Sequence, residues 1–141
     1  MLTNAIHILI LLLFISSCST SHKVLLSKKL IESSALINHQ NLFLTINDSD
    51  NAPIVYVFNK EGKVIHECYI INVKNNDWEA LAFDGKDNLF IGDIGNNNNN
   101  RKNLAVLKLN INEVMTRDTL EPKIITFRYG DQTAFPPSQD S

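Results

Sequence analysis

From Leu25 onward the chain is a succession of short apolar runs, each broken by a cluster of turn-forming residues. The runs are Leu25–Leu30, Ser34–Asn38, Asn41–Asn47, Ile54–Asn59 and Val64–Val73, then Trp78–Asp84, Asn88–Ile94, Leu104–Leu109 and Lys123–Tyr129. Most are rich in Val, Ile, Leu, Phe and Tyr, which fit a pleated, half-buried surface. Between them stand Asn38-His39-Gln40, Asp48-Ser49-Asp50-Asn51-Ala52-Pro53, Lys60-Glu61-Gly62 and Asp84-Gly85-Lys86-Asp87. Asn, Asp, Gly and Pro reverse a chain by bonding their own backbone, by tolerating positive φ or by fixing φ. No long segment after residue 24 repeats its apolar positions at helical spacing; Asn112–Arg117 admits one helical turn. The pattern predicts an all-β meander.

The meander repeats. Asn41-Leu42-Phe43-Leu44 returns 47 residues later as Asn88-Leu89-Phe90-Ile91, and Ala35-Leu36-Ile37 returns 45 residues later as Ala80-Leu81-Ala82. A period near 45 with four strands per unit is that of a β-propeller blade. Ser34–Val73 and Trp78–Tyr129 are then two four-stranded antiparallel blades. Leu25–Leu30 is an extra N-terminal strand that fits the outer edge of a closing blade. The alternative is a single open or sandwiched antiparallel sheet. Blades bury both faces against neighbours. Leaving about 400 Å² of such a face in water costs roughly 10 kcal/mol at about 25 cal/mol per Å², comparable to a domain's whole net stability. The expected fold is therefore a partial, truncated propeller over residues 25–141, marginal alone or completed by a protein partner or by self-association.

The N-terminus reads as an address. Ala5–Ile15 is an apolar run too short to span a bilayer comfortably and of the length of a signal-peptide core. Ile15-Ser16-Ser17-Cys18, a large aliphatic and two small residues before cysteine, resembles the lipobox of bacterial lipoproteins. The resemblance implies removal of residues 1–17, a lipid on the Cys18 sulfur and a tether over residues 18–24. Met1-Leu2-Thr3-Asn4 lacks the Lys or Arg usual in such leaders; a plain cleaved signal is the alternative. The implied partner is a bacterial membrane reached through the anchor, on the periplasmic or outer-surface side of the cell envelope. Acylation of Cys18 leaves Cys68 alone, with no disulfide partner in the chain; within a strand it reads as an apolar filler rather than a reactive thiol.

Hydrophobic residues make up 44% and charged residues 20%, a globular composition, and the net charge of −2 gives no basic field for nucleic acid. Acidic residues gather at strand ends and turns: Glu32, Asp48, Asp50, Asp77, Glu79 and Asp93. Asp48, Asp77, Glu79 and Asp93 are the candidate ligands for a hard cation such as Ca²⁺, which takes six to eight oxygens; the competing explanation is that acids and amides simply make turns. Glu32, Trp78 and Arg101 are candidate lining of a ligand pocket near the same strand ends. Trp78 equally suits packing between sheets. His39 and His66 lack the tight spacing of a zinc pair, and no Gly-x-Ser-x-Gly, Walker-type loop or His-Glu-x-x-His occurs. The Asn96–Asn100 run reads as a solvated hairpin loop, with Gly92 and Gly95 allowing a tight course around Asp93.

Several strings together resemble bacterial envelope β-propellers related to the SdiA-regulated and esterase-like phytase groups. They are Glu32-Ser33-Ser34-Ala35-Leu36, Asn47-Asp48-Ser49-Asp50, Asp77-Trp78-Glu79-Ala80-Leu81-Ala82 and Gly92-Asp93-Ile94-Gly95-Asn96-Asn97, with Arg101, Tyr129-Gly130-Asp131-Gln132 and Phe135-Pro136-Pro137. The resemblance spans nearly all of the chain after Cys18 and the first half of the family's length. It implies a propeller fold far better than a reaction. Ala35 and Asp50 stand where the family tends to have glycine, and Ala80 where a second acid often follows Trp-Glu. Three functions are compatible: a membrane-tethered propeller fragment for binding or scaffolding, without catalysis; a remnant of a calcium-dependent phosphoester hydrolase; and an interaction module completed by another chain.

Overall fold

A computed structural model describes residues 23–132, 134 and 135; residues 1–17, expected as a signal peptide, and Cys18, Pro136 and Pro137 lie outside the described residues. The first sheet contains β1 (Ser33–His39), β2 (Leu42–Asn47), β3 (Ile54–Phe58) and β4 (Val64–Ile70) in sequential antiparallel order. The second contains β5 (Trp78–Phe83), β6 (Asn88–Asp93), β7 (Leu104–Asn110) and β9 (Lys123–Phe127). The eight strands fall in two sheets along the two repeat units, and the first sheet gains a fifth, parallel edge strand described below.

Three local features differ from expectation. Leu25–Leu30 is not a strand: a single 3-10 turn occupies Lys28–Leu30, capped by the Ser27 hydroxyl, and the segment before it is irregular. Its apolar side chains have another use, since Leu30 packs on Tyr56 and Phe58 on the outer face of the first sheet. The helical turn α1 lies at Ile111–Val114, one residue earlier than anticipated, because the Asn110 side chain accepts from the Asn112 and Glu113 N–H groups. A two-residue strand, β8 (Thr119–Leu120), pairs parallel with β4 and ties the second unit back to the first.

The sheets pack face to face around one core that includes Leu44, Ile46, Val55, Val57 and Ile70 from the first and Trp78, Leu89, Ile91 and Leu107 from the second. The register shows which strand positions correspond. In both sheets the first pair is followed by a bulge: Ser33 opposes Asn47 and then Ala35 opposes Ile46, while Trp78 opposes Asp93 and then Ala80 opposes Gly92. Asn47 thus corresponds to Asp93, and Leu44 to Phe90 rather than to Ile91. The extra residue sits in the longer β5–β6 turn. A one-residue offset changes which face a side chain takes. The first sheet therefore presents Leu44 and Ile46 to the core, whereas the second presents the opposite face of its equivalent strand, through Leu89 and Ile91. The sheets stack in the same sense.

That arrangement leaves an apolar outer face on each side. On the first sheet Phe43, Tyr56 and Phe58 are covered in part by Leu30. On the second, the face bearing Ala80, Ala82, Phe90, Val106 and Ile125 has no covering element among the described residues; Ile125 is 43% exposed, and the Lys108 ammonium lies 5.8 Å from the Phe90 ring centre. Among the described residues no helix is long and apolar enough to cross a membrane.

Candidate functional site

The connections β2–β3, β4–β5 and β6–β7 gather at one end of the stack. Asn75 binds two of them together: its Nδ2 donates to the Asn47 carbonyl (2.9 Å) and the Asp48 carbonyl (2.7 Å), and its Oδ1 accepts from the Trp78 N–H (3.1 Å). Asp48 follows β2, Asp77 precedes β5, and Glu79 occupies the β5 bulge. One carboxylate oxygen from each of the three lies within 4.8 Å of the others. Burial, and then the Asp48 charge, push the Asp77 carboxyl above its ordinary range, against the pull of Arg101. Burial followed by Asp48 and Asp77 raises Glu79 as well. Carboxylates held this close repel one another, and a proton or a cation relieves the repulsion.

Asp93 belongs to a different constellation. Arg101 Nη2 donates to its Oδ1 at 2.9 Å, the Asp77 N–H donates to the same oxygen at 3.1 Å, and Asn76 Nδ2 donates to Oδ2 at 2.8 Å. The Arg101 and Asp93 side chains are 15% and 6% exposed. Arg101 also donates through Nη1 to the Gly95 carbonyl at 2.7 Å, and its backbone N–H donates to Asn96 Oδ1 at 2.9 Å. The pair thus fixes the root of the asparagine-rich loop, and the fourth candidate cation ligand is committed to that work.

Glu32, Trp78 and Arg101 have three separate environments. Glu32 accepts from Asn51 Nδ2 at 2.6 Å, and its carbonyl accepts from the Asp48 N–H at 2.8 Å, so it braces the β2–β3 turn. Trp78 is fully buried in the core between the sheets, its indole N–H finding no acceptor among the described protein atoms. A cavity of about 240 Å³ beside Asp93, with Lys74, Asn76 and Asn103 at its wall and Leu107 and Ile124 below, includes none of the three.

Gly95 has a role the residue pattern did not reveal. It makes room for Asp77, not for a turn around Asp93: a β-carbon there overlaps the Asp77 carboxylate. Asn75 and Asn76 were also missed, hidden in a stretch that reads as ordinary loop. Asp50 adopts φ of 63°, a left-handed conformation that glycine takes without strain. His39 packs edge-on against Phe83 at 4.9 Å, whereas His66 Nε2 lies 3.0 Å from the Arg117 carbonyl. Cys68 is buried, its thiol pushed up to about 11 chiefly by that burial; this suits a packed filler.

No family model matches the chain, and no curated protein or solved structure matches it.

Proposed function

We propose that the chain is an envelope lipoprotein, acylated at Cys18, whose two sheets are consecutive β-propeller blades with a binding or scaffolding role and no catalysis. The observation that carries the reading is the sense of stacking. Equivalent strands turn opposite faces to the shared core, and the second sheet keeps a further apolar face of the kind a next blade covers. A two-fold sandwich would use the same face of both sheets. Hydroxyl-radical footprinting tests this on intact cell envelopes and on the purified chain. A further blade, from whatever polypeptide, shields Phe90 and Ile125 in the envelope relative to Tyr129. Equal labelling of all three in both samples overturns the blade reading. The anchor is tested separately, since Cys18→Ala abolishes incorporation of labelled lipid.

A cation site is a second reading, favoured by the convergence of Asp48, Asp77 and Glu79. Backbone carbonyls and water would supply the remaining oxygens of a Ca²⁺ shell. Titration calorimetry with CaCl₂ decides it: heat that disappears in Asp77→Asn supports the site, and no heat removes it, together with any calcium-dependent hydrolase ancestry for this end of the fold.

A further inference from the structure

The two ends of the stack differ in character. The acidic cluster lies at one end. At the other, the β3–β4 turn carries Lys60, Glu61 and Lys63, and the N-terminal segment emerges beside it. The Ser27 N–H donates to the Gly62 carbonyl at 3.1 Å. Gly62 is held so close to this segment that a β-carbon on it would lie 2.7 Å from the Leu25 carbonyl oxygen. The segment is therefore seated on the turn. Leu25 nevertheless points into solvent at 92% exposure, while Val24 and Leu26, about half exposed, lie along an apolar groove with Leu36, Phe43 and Phe58.

We propose that this end rests on the bilayer, with Val24, Leu25 and Leu26 entering the headgroup region and Lys23, Lys60 and Lys63 meeting anionic headgroups. The inference rests on the acylation of Cys18 proposed above. Six residues lead from Cys18 to Val24, so a fully extended tether reaches at most about 22 Å, and the segment cannot leave the vicinity of the membrane. Exposed aliphatic side chains beside lysines are the composition of an interfacial contact, in which apolar burial and attraction to anionic lipid act together. Lys29 is already paired with Glu67, whereas Lys60 and Lys63 have no ion-pair partner among the described residues and are the ones proposed to face the lipid. The opposite end carries Asp48, Asp50, Asp77 and Glu79 beside Lys74 and Lys102, while the end proposed for the membrane also carries Glu61 and, on the β5–β6 turn, Asp84 and Asp87. The short tether and the seated aliphatic segment set the orientation, in which the acidic cluster faces away from the membrane and is reached from solution.

Depth-dependent fluorescence quenching tests the orientation. The full chain is produced in a bacterium with either Glu61→Cys or Asn97→Cys, positions at the two opposite ends. Each is labelled with an environment-sensitive dye and reconstituted into phosphatidylethanolamine–phosphatidylglycerol vesicles containing a nitroxide-labelled lipid. The buried Cys68 thiol competes poorly for the dye. Quenching is expected to be several-fold stronger at position 61 than at 97, and Leu25→Asp with Lys60→Glu reduces it without changing acylation. Equal quenching at both positions, or stronger quenching at 97, overturns the proposal. A label at 61 shielded from aqueous iodide yet untouched by the nitroxide lipid shows a protein on this surface and also overturns it. The mass of the N-terminal peptide, read on the same samples, separates the premise from the inference: an unacylated Cys18 removes the anchor itself, whereas an acylated Cys18 without differential quenching rejects the docking surface alone.

Discussion

Gly95 and Asp77 are fitted to one another so closely that no β-carbon can stand on Gly95 without overlapping the Asp77 carboxylate. The backbone joins them as well, since the Gly95 N–H donates to the Asp77 carbonyl at 3.1 Å. Gly95→Ala must push Asp77 away from Asp48 and Glu79 or shift the β6–β7 loop. The expected loss is about 1–3 kcal/mol, the usual cost of forcing atoms into a filled site. Urea unfolding measures it, and an unchanged midpoint shows that the loop yields freely.

Arg101 and Asp93 form the one well-buried ion pair among the described residues. Removing one partner strands the other charge in a poorly hydrated place, at a cost of about 3–5 kcal/mol. Arg101→Met is therefore strongly destabilising, while Arg101→Met with Asp93→Asn recovers much of the loss because no buried charge remains. A double-mutant cycle on unfolding free energies reads the coupling. Additive losses refute it.

The sheets were legible in the sequence because turn residues punctuate apolar runs, and four-strand units recur at a near-constant interval. Eight of the nine strands fall on anticipated runs. Leu25–Leu30 was misread because an apolar run can cover a sheet as well as join one, and composition does not separate the two. Thr119–Leu120 escaped notice because a two-residue parallel strand has no periodicity of its own. The matching strings Asn41–Leu44 and Asn88–Ile91 gave the repeat but not its register, since an extra turn residue displaces the string match by one position from the paired one. At the candidate site the acids were visible as residue types, but only the fold separates Asp93, bound to Arg101, from the three that converge.

The acidic cluster gives stability a definite pH dependence. Asp77 and Glu79 have folded-state pKa values above their ordinary 3.8 and 4.5. The folded chain holds these protons more tightly than the unfolded chain does. Their contribution is fully present below the ordinary values and is lost as pH rises through the raised ones. Asp84 acts in the opposite sense: hydrogen bonds from the Asn88 side chain and the Lys86 and Asn88 N–H groups lower it to about 2. Its contribution is present above 3.8 and lost as pH falls toward 2. Burial is the first cause of both shifts and the Asp48 charge the second, and Asp48→Asn removes that second contribution. It is expected to raise the urea midpoint at pH 7, and the gain shrinks as pH approaches 4, where the acids protonate in either protein. A gain independent of pH shows that Asp48 acts through packing instead.

Trp78 separates packing from hydrogen bonding within a single side chain. It is fully buried in the inter-sheet core, and Asn75 anchors its backbone N–H. Truncation to alanine removes the largest filler between the sheets and should cost about 3–5 kcal/mol. Trp78→Phe keeps most of the ring contact. The indole N–H has no acceptor among the described protein atoms, so phenylalanine gives up no protein hydrogen bond and relieves an unpaired buried donor. The expected cost of Trp78→Phe is less than half that of Trp78→Ala, measured by circular dichroism in urea because the substitution removes the only tryptophan. Equal costs for the two variants would mean that the indole N–H is satisfied in solution, and that the position is held by a polar contact more than by apolar packing.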